Sequence, residues 1–251
     1  MTNEGQYIYA IVATHEEKGF GPIGIGDRKD EVYTVCYQDL GAIISPSPIV
    51  KYPVTRANTM AHQKAMEEVM KYYPMLPVRF STISEGIELI KEKVLKTRHD
   101  EFKDLLRYVE DKIELGLKAL WTNKEAVFRE IVDENKDIRL LRDRLISRGL
   151  RAQRDDQIRL GEMVKKALDA KKRREEKAIL KFFKGLWVEH KANDVMGDQM
   201  VNNSAFLVQK DQEKTFDDAV GKLTAKHDGR MRFKYVGPVP PCNFVEIVVT
   251  W

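Results

Sequence analysis

An alternation of apolar and polar residues from Lys112 to Trp121 constrains the fold of this chain more than any other feature. Apolar side chains occupy every second position from Ile113 to Trp121, and only Leu120 interrupts the polar or glycine positions between them. A period of two residues is that of a β-strand, and this run predicts a strand with one buried face and one solvated face. The fold must therefore include a sheet that is covered on one side.

The residues after this strand predict a helical arm and then a return to the sheet. Helical periodicity runs from about Lys124 to Glu189, and Gly149 separates two apolar stripes, which predicts a helix–turn–helix arm. Further elements are expected as strands at 190–196, Ser204–Lys210, Met231–Val236 and Phe244–Thr250, and as a helix at about Thr215–His227. Counted from Lys112 to Val236, the order is βαββαβ, which is that of a ferredoxin-like domain with an enlarged first crossover.

The residues before this strand predict a separate α+β unit. Strands are expected at 6–13, Val32–Tyr37, Gly41–Ser45 and Met75–Phe80, and helices at Arg56–Tyr73, about Ser84–Lys96 and Asp100–Val109. Thr55 is a suitable N-cap for the first helix, and Pro46, Pro48 and Pro53 are expected to end the β-structure before it. The predicted fold class is α+β with two domains: an N-terminal α+β domain at 1–108 and a C-terminal modified ferredoxin-like domain at 109–251, with an inserted helical arm at about 123–189.

The excess positive charge of the chain lies on the predicted arm. The formal net charge is +4, but residues 123–189 hold 19 basic and 13 acidic residues, whereas residues 1–108 hold 14 and 15. The simpler interpretation is a solvated helix face with opposite charges paired at four-residue spacing. The alternative is a nucleic-acid-binding module that uses the basic arm, although no interleaved aromatic residues or known reading motif accompany the charge.

Composition argues against a membrane protein and against a disulfide-stabilised one. No apolar run approaches the ~20 residues that span a bilayer. Cys36 and Cys242 form neither a disulfide framework nor a set of metal ligands. We therefore expect a cytoplasmic protein without a membrane partner.

The sequence contains no assembled catalytic motif. Gly19 to Gly24 spell a literal G-x-G-x-x-G, but loop residues and then a strand follow it, whereas a dinucleotide site needs a helix to begin there. We expect a hairpin loop at this position. The five histidines are scattered without the spacing of a helical zinc site. We predict no catalytic residue, no cofactor and no metal site.

Ordered motifs along the chain resemble a known family. They are Tyr52-Pro-Val-Thr-Arg-Ala-Asn-Thr-Met-Ala-His-Gln with Leu76-Pro-Val-Arg-Phe80, then Lys112-Ile-Glu-Leu-Gly-Leu-Lys118, Asn203-Ser-Ala-Phe-Leu-Val208 and Gly237-Pro-Val-Pro-Pro-Cys-Asn-Phe-Val-Glu-Ile247. In this order and spacing they resemble the GvpF/GvpL family of gas vesicle proteins over essentially the whole chain. The family's last motif usually reads Gly-Pro-Trp-Pro-Pro-Tyr-Asn-Phe, so this chain departs from it at Val239 and Cys242.

The resemblance implies a non-enzymatic accessory protein, located in the cytoplasm and associated with gas vesicles, the compartments that give cells buoyancy. Its expected partners are the hydrophobic gas vesicle shell protein and other gas vesicle accessory proteins, whose assembly or nucleation it would assist, with no nucleic acid and no membrane among them. A small-molecule enzyme on a ferredoxin-like scaffold is a further alternative, since a fold does not determine a function.

We predict a partner-binding surface from seven residues, of which four match family motif positions and three are methionines. Flexible methionine side chains offer an adaptable apolar surface. The alternative is that the methionines fill the N-terminal core and that the motif residues fix local hydrogen bonds. The seven residues are Tyr52, Arg56, Met60, His62, Met66, Met70 and Arg79.

Overall fold

The chain folds into mixed helix and sheet, which confirms the predicted α and β content. The computed structural model describes residues 4–149 and 154–251. One compact unit comprises the residues up to Leu115 with Leu207–Lys210 and Gly237–Trp251, and the other comprises Gly116–Phe206 with Asp211–Val236. These packing units do not test the predicted domains, 1–108 and 109–251, which stay a prediction.

Among the described residues, the first unit contains a six-stranded sheet. Its strand order is β2-β3-β4-β1-β5, and β6 pairs with β1. The elements are β1 (Glu4–Ala13), β2 (Gly19–Gly21), β3 (Val32–Tyr37), β4 (Leu40–Pro48), α1 (Arg56–Met70), β5 (Met75–Pro77), β6 (Ile83–Ser84), α2 (Ile87–Leu89), a π-helical continuation of α2 at Ile90–Lys96, and α3 (His99–Val109). The predicted β3–β4 hairpin is confirmed, with Tyr37 opposite Leu40.

Helices cover both faces of this sheet because β1 is apolar on both sides. Ile8 and Ile11 belong to a core that includes Val94 and Phe102 from the π-helical segment and α3. Tyr7 and Tyr9 belong to a second core that includes Met66 and Val69 of α1. A register shift between Ile8 and Ala10 adds one residue to β1. Such a bulge lets side chains on either side of it share a face at odd spacing.

Several boundaries in this unit differ from the prediction. The strand β4 continues through Pro46 to Pro48, where it pairs with β1. Its pairing with β3 ends at Ile44, so the missing N–H groups of the two prolines disrupt no β3–β4 hydrogen bond. The helix α1 ends at Met70 rather than Tyr73. The predicted loop at Gly19–Gly21 is the short strand β2, which pairs with β3.

The predicted strand at Phe244–Thr250 is wrong. This segment makes only an isolated parallel bridge between Val78 and Ile247, and no longer ladder is present among the described residues. Its neighbour β5 ends at Pro77, so the expected Met75–Phe80 strand is shorter too. This segment has the composition of a strand but begins in a hydrogen-bonded turn, where the Phe244 and Val245 N–H groups donate to the Pro241 carbonyl, and it pairs with other backbone of the described chain at one bridge only.

A second sheet of four strands, counted among the described residues, has the order β10-β7-β9-β8. It includes the predicted strand Lys112–Trp121 with its predicted bounds. The elements from this strand onward are β7 (Lys112–Trp121), α4 (Lys124–Glu134), α5 (Lys136–Arg148), α6 (Arg154–Leu180), a 3-10 turn at Lys181–Phe183, β8 (Glu189–Ala192), β9 (Met200–Gln209), a 3-10 turn at Lys210–Gln212, α7 (Glu213–Lys226) and β10 (Met231–Val239).

The arm contains three described helices rather than two. Asn135 has extended backbone angles and separates α4 from α5, so the first predicted helix is interrupted. Gly149 caps α5 with a φ of 51°, a conformation that favours glycine. The remainder of the predicted turn, residues 150–153, lies outside the described residues. None of the described helices is both long and apolar enough to span a bilayer.

Candidate functional site

Two of the sequence motifs meet at the buried carboxylate of Glu114. Glu114 is only 4% exposed. Its two oxygens accept hydrogen bonds from the backbone N–H of Asn243 at 2.8 Å and from the Asn243 side-chain amide at 2.5 Å. Gly237 lies against the same segment, where a Cβ would come within 2.6 Å of the Leu115 side chain. The Lys112–Lys118 motif and the Gly237–Ile247 motif therefore form one packed structure.

A third motif joins this structure through backbone hydrogen bonds. The Ile247 N–H donates to the Pro77 carbonyl at 2.7 Å, and the Arg79 N–H donates to the Ile247 carbonyl at 2.9 Å. The Arg79 guanidinium pairs with Glu246 at 2.9 Å, with both side chains about half exposed. Such exposed pairs contribute little to stability. The backbone contacts therefore hold the segments together, and the ion pair lies at their surface.

Three further motif residues, Tyr52, His62 and Phe80, contact the buried side chain of Tyr7. Its hydroxyl accepts a hydrogen bond from the Ser81 N–H at 2.9 Å and lies 3.0 Å from Nδ1 of His62. The rings of Tyr52 and Phe80 contact Tyr7 edge-on, with centroids 5.8 and 6.5 Å away. Tyr52 also donates its N–H to the Ser81 hydroxyl at 2.9 Å. The cluster is a hydrogen-bonded aromatic core.

Burial keeps the ionisable groups of this core neutral near pH 7. Desolvation lowers the pKa of His62 to about 4 and raises the pKa of Tyr9 to about 12. The Tyr9 hydroxyl accepts from the Ile25 N–H at 2.7 Å and lies 2.9 Å from the Ser45 hydroxyl. A neutral His62 ring can accept the Tyr7 O–H at Nδ1. The arrangement gives each of these buried polar groups a partner.

The seven residues predicted to bind a partner do not share one surface. His62 and Met66 are buried, and Tyr52 and Met70 are partly buried against the same core. This placement matches the alternative in which the apolar members fill the core. The exposed members are Arg56, Met60 and Arg79. The partner-binding role of the set stays a prediction, and its accessible part is reduced to these three residues.

Exposed apolar side chains lie in the connection between β4 and α1 and at the start of α1, and the sequence interpretation singled out only Met60 among them. Ile49, Val50 and Val54 are 40%, 46% and 82% exposed, and Met60 on the first turns of α1 is 56% exposed. We call these four residues the loop surface. The sequence does carry a signal for this surface. Large aliphatic side chains lie between Pro48 and Thr55, in a segment that is too proline-rich to form a helix that could bury them.

Capping contacts fix the conformation of this connection where it enters α1. The Thr55 hydroxyl accepts from the Asn58 N–H at 3.2 Å, which confirms the predicted N-cap. The Asn58 amide donates to the Pro53 carbonyl at 3.0 Å, and the Thr55 N–H donates to the same carbonyl at 2.8 Å. The loop surface is therefore presented from a hydrogen-bonded segment at a helix start.

The predicted arm is held by a network of partly exposed charged groups around the buried Lys171. Nζ of Lys171, which is 5% exposed, lies 2.9 Å from Glu130 and 2.6 Å from Glu134. Arg230 binds Glu130 at 2.6 Å and Glu175 at 2.7 Å. Hydrogen bonding to Arg230, and then to Lys171, lowers the pKa of Glu130 to about 2. These contacts fasten α4 and α6 together and consume part of the arm's positive charge.

No cluster of three or more His, Cys, Asp or Glu residues that could hold a metal ion occurs in the described ranges 4–149 and 154–251. The G-x-G-x-x-G segment is followed by β3 and not by a helix. It therefore lacks the helix N-terminus that a dinucleotide pyrophosphate requires.

Comparisons with known proteins agree over nearly the whole chain. The family model described as "Gas vesicle synthesis protein GvpL/GvpF" matches residues 5–246. Gas vesicle protein F of Nostoc sp. is 25% identical over 98% of this chain and 99% of its own length. Gas vesicle protein F of Streptomyces sp. is 28% identical over 96% and 99%. Gas vesicle protein L1 of Halobacterium salinarum is 25% identical over 96% and 90%.

Two crystal structures share the fold. GvpF from Anabaena sp. PCC7120 superposes with a TM-score of 0.78 at 24% identity, covering 97% of this chain and 99% of that one. GvpF from Microcystis aeruginosa superposes with a TM-score of 0.77 at 21% identity and the same coverage. At these identities the likeness shows the fold.

Proposed function

The chain belongs to the GvpL/GvpF family of gas vesicle synthesis proteins, and from this membership we propose that it is a non-enzymatic accessory protein of gas vesicle assembly or nucleation. Its role is related to gas vesicles. In the proposal, it binds the hydrophobic shell protein and other accessory proteins in the cytoplasm, and it associates with the growing vesicle. The arm contributes orienting contacts.

The observation that carries this proposal is the exposed loop surface. A shell subunit that ends in a wall with a water-repelling face must be kept from aggregating before it is incorporated. Ile49, Val50, Val54 and Met60 offer aliphatic side chains to such a face. Methionine adapts its shape to a partner at little cost. Arg56, two residues after Val54, is exposed as well and adds a positive charge to this part of the chain.

The strand order of the second sheet supports the finer fold assignment. Numbered along residues 109–251, β7, β8, β9 and β10 are strands one to four, and their order across the sheet is four, one, three, two. A βαββαβ chain reaches this order when the two strands joined by each helical crossover are separated in the sheet by one other strand. We therefore retain the modified ferredoxin-like domain, with its inserted arm, as part of the proposal.

Charge placed in the loop surface tests the proposal. The double variant Val54→Asp, Met60→Asp is expected to weaken shell-protein binding at least about tenfold, because each buried aliphatic side chain is worth roughly 1.5–3 kcal/mol. Met196→Asp is the matched control, since Met196 is 77% exposed in a different segment. Binding is measured by co-purification with tagged shell protein, and gas vesicle formation is scored in cells.

Two results would contradict the proposal. Gas vesicles that form normally in cells lacking the protein would exclude an assembly role. Full shell-protein binding by the double variant, with circular dichroism unchanged, would show that the loop surface is not the binding surface.

A further inference from the structure

We propose that a groove on the arm binds an acidic amphipathic helix of a partner protein. The groove lies in the second unit between α6 and the junction of α4 with α5, and we call it the arm groove. Its floor contains Ala167 and Ala170, one rim contains Lys166, Arg173 and Lys177, and the other rim is formed by residues 134–138. The identification of the partner as a gas vesicle component rests on the proposed function. The charge and shape of the groove are independent of it.

The shape of the groove suits a helix. Two adjoining depressions of about 330 and 560 Å³ share Glu134, Asn135, Ala167 and Ala170 among their lining residues. From Met163 to Lys177 the lining follows α6 for about 21 Å at 1.5 Å per residue, which is the length of four helical turns. The alanines leave room for a second helix to approach within the usual 8–10 Å between axes.

The break at Asn135 borders this space. The helix α4 ends at Glu134 and α5 begins at Lys136, and residues on both sides of the break line the groove together with Ala167 and Ala170. The opposite flank of α6 is occupied, since Leu168, Lys171 and Ile179 are buried. The alanine flank is only half-buried.

The charge of the groove selects an acidic partner. Five basic and two acidic residues line it. Arg174 already pairs with Glu134 at 2.8 Å. By contrast, Lys166, Arg173 and Lys177 make no ion pair with any other residue of the described chain. These three cations lie on one rim of α6, where the acidic side chains of a docked helix would reach them.

The same features argue for a protein rather than a nucleic acid. The rim opposite the cations carries residues of both signs, Lys136 and Asp137, so it offers no continuous positive track to a phosphate backbone. The floor is aliphatic and no aromatic side chain lines either depression, so unpaired bases have no ring on which to stack.

The first experiment compares three probes on the full chain by fluorescence anisotropy. They are a synthetic helical peptide of about 20 residues with an alanine–leucine stripe flanked by glutamates, the same peptide with lysines for glutamates, and a duplex DNA. The acidic peptide is expected to bind at least about tenfold more tightly than either other probe, and added salt is expected to weaken its binding. Equal binding of the two peptides, or tighter binding of the DNA, would overturn the proposal.

Variants then locate the binding site. Arg173→Glu with Lys177→Glu is expected to weaken binding of the acidic peptide about tenfold or more. Lys165→Glu with Lys222→Glu changes the net charge equally at exposed positions outside the groove and is expected to preserve binding. Ala170→Phe fills the floor without changing charge and is expected to abolish binding. The proposal fails if the rim variant binds like the wild type, if the control pair loses as much affinity, or if Ala170→Phe has no effect.

Shell-protein co-purification with the same variants separates this proposal from the proposed function. If the wild type fails to capture shell protein while the acidic peptide still binds in the groove, the proposed function falls and the groove stands. If shell protein is captured but the peptide results above fail, the groove proposal alone is overturned.

Discussion

Removing the Asn243 side-chain amide should loosen the segment that joins the motif regions of the first unit. The Glu114 carboxylate is 4% exposed, so it cannot replace a lost donor with bulk water. Asn243→Ala deletes the donor at 2.5 Å and keeps the backbone donor at 2.8 Å. A hydrogen bond to a buried charged group is worth about 1.5–3 kcal/mol, and we expect a loss of that size in the free energy of unfolding.

Glu114→Gln should lower the free energy of unfolding by as much or more, because the amide nitrogen of the glutamine must face one of the two Asn243 donors. The double variant should lose less than the sum of the single variants, with a coupling energy of at least about 1 kcal/mol, since the two changes remove the same interaction. Glu85→Gln, at an exposed position, is the matched control and should stay within about 0.5 kcal/mol of the wild type.

The assay is urea unfolding followed by circular dichroism, together with amide hydrogen exchange in the same segment. The N–H groups of Val245 and Ile247 donate to the carbonyls of Pro241 and Pro77 at 2.9 and 2.7 Å, and they report local opening. A loss of 1.5–3 kcal/mol corresponds to roughly 10- to 100-fold faster exchange there. Exchange and unfolding free energies of Asn243→Ala indistinguishable from the wild type would refute the assignment of Glu114 as the anchor of this segment.

Three further predictions concern the pH dependence of stability and the aromatic packing of the second unit. Burial lowers the pKa of His62 from 6.5 to about 4. The unfolded chain therefore binds the proton at a higher pH than the folded chain does, and the wild type should lose about 3 kcal/mol of stability between pH 6.5 and pH 4. His62→Gln should abolish this loss in unfolding titrations. Because Arg230 lowers the pKa of Glu130 from 4.5 to about 2, Glu130→Gln should cost about 1–2 kcal/mol above pH 4.5, after allowance for solvent screening. This difference should vanish towards pH 2. Phe183 is fully buried, and its ring is stacked on that of Phe216 with centroids 4.6 Å apart. Phe183→Ala should lower the free energy of unfolding, measured by thermal unfolding, by about 3–5 kcal/mol, and Phe182→Ala should lower it less because Phe182 is only half-buried.

Local sequence patterns predicted the elements whose formation depends on local chemistry. The alternation over Lys112–Trp121 gave a strand with those bounds, because a period of two residues is that of a strand. The face that was expected to be solvated is largely covered, since Glu114 is buried and only Lys118 is exposed. Thr55 gave the start of α1, because its hydroxyl satisfies an N–H that the helix itself leaves unpaired. In both cases the deciding interaction lies within a few residues of the pattern.

The errors arise where the outcome depends on distant backbone. Phe244–Thr250 has the composition of a strand, but the adjacent β5 ends at Pro77 and offers it a single bridge. The arm pattern continues across Asn135, and sequence periodicity alone gives no reason for the helix to stop there. Ile49, Val50 and Val54 of the loop surface were missed because aliphatic residues in a proline-rich connection show no helix or strand pattern, and propensity indicates only that a loop is present there.

The motif residues that hold the first unit together contact buried groups, whereas Val54 and Met60 of the Tyr52–Gln63 motif are exposed and belong to the loop surface. Asn243 and Gly237, which follow the family pattern, contact a buried carboxylate and a closely packed backbone, where other side chains would leave a charge unpaired or collide. The two departures fall where such constraints are weak: Cys242 is exposed and Val239 is half-buried. Motif residues such as Asn243 and Gly237 therefore describe how the first unit is held together. The Tyr52–Gln63 motif contains both the buried His62 and the exposed Val54 and Met60, so motif membership alone does not locate a binding surface. The loop surface and the arm groove have to be found from exposure and charge.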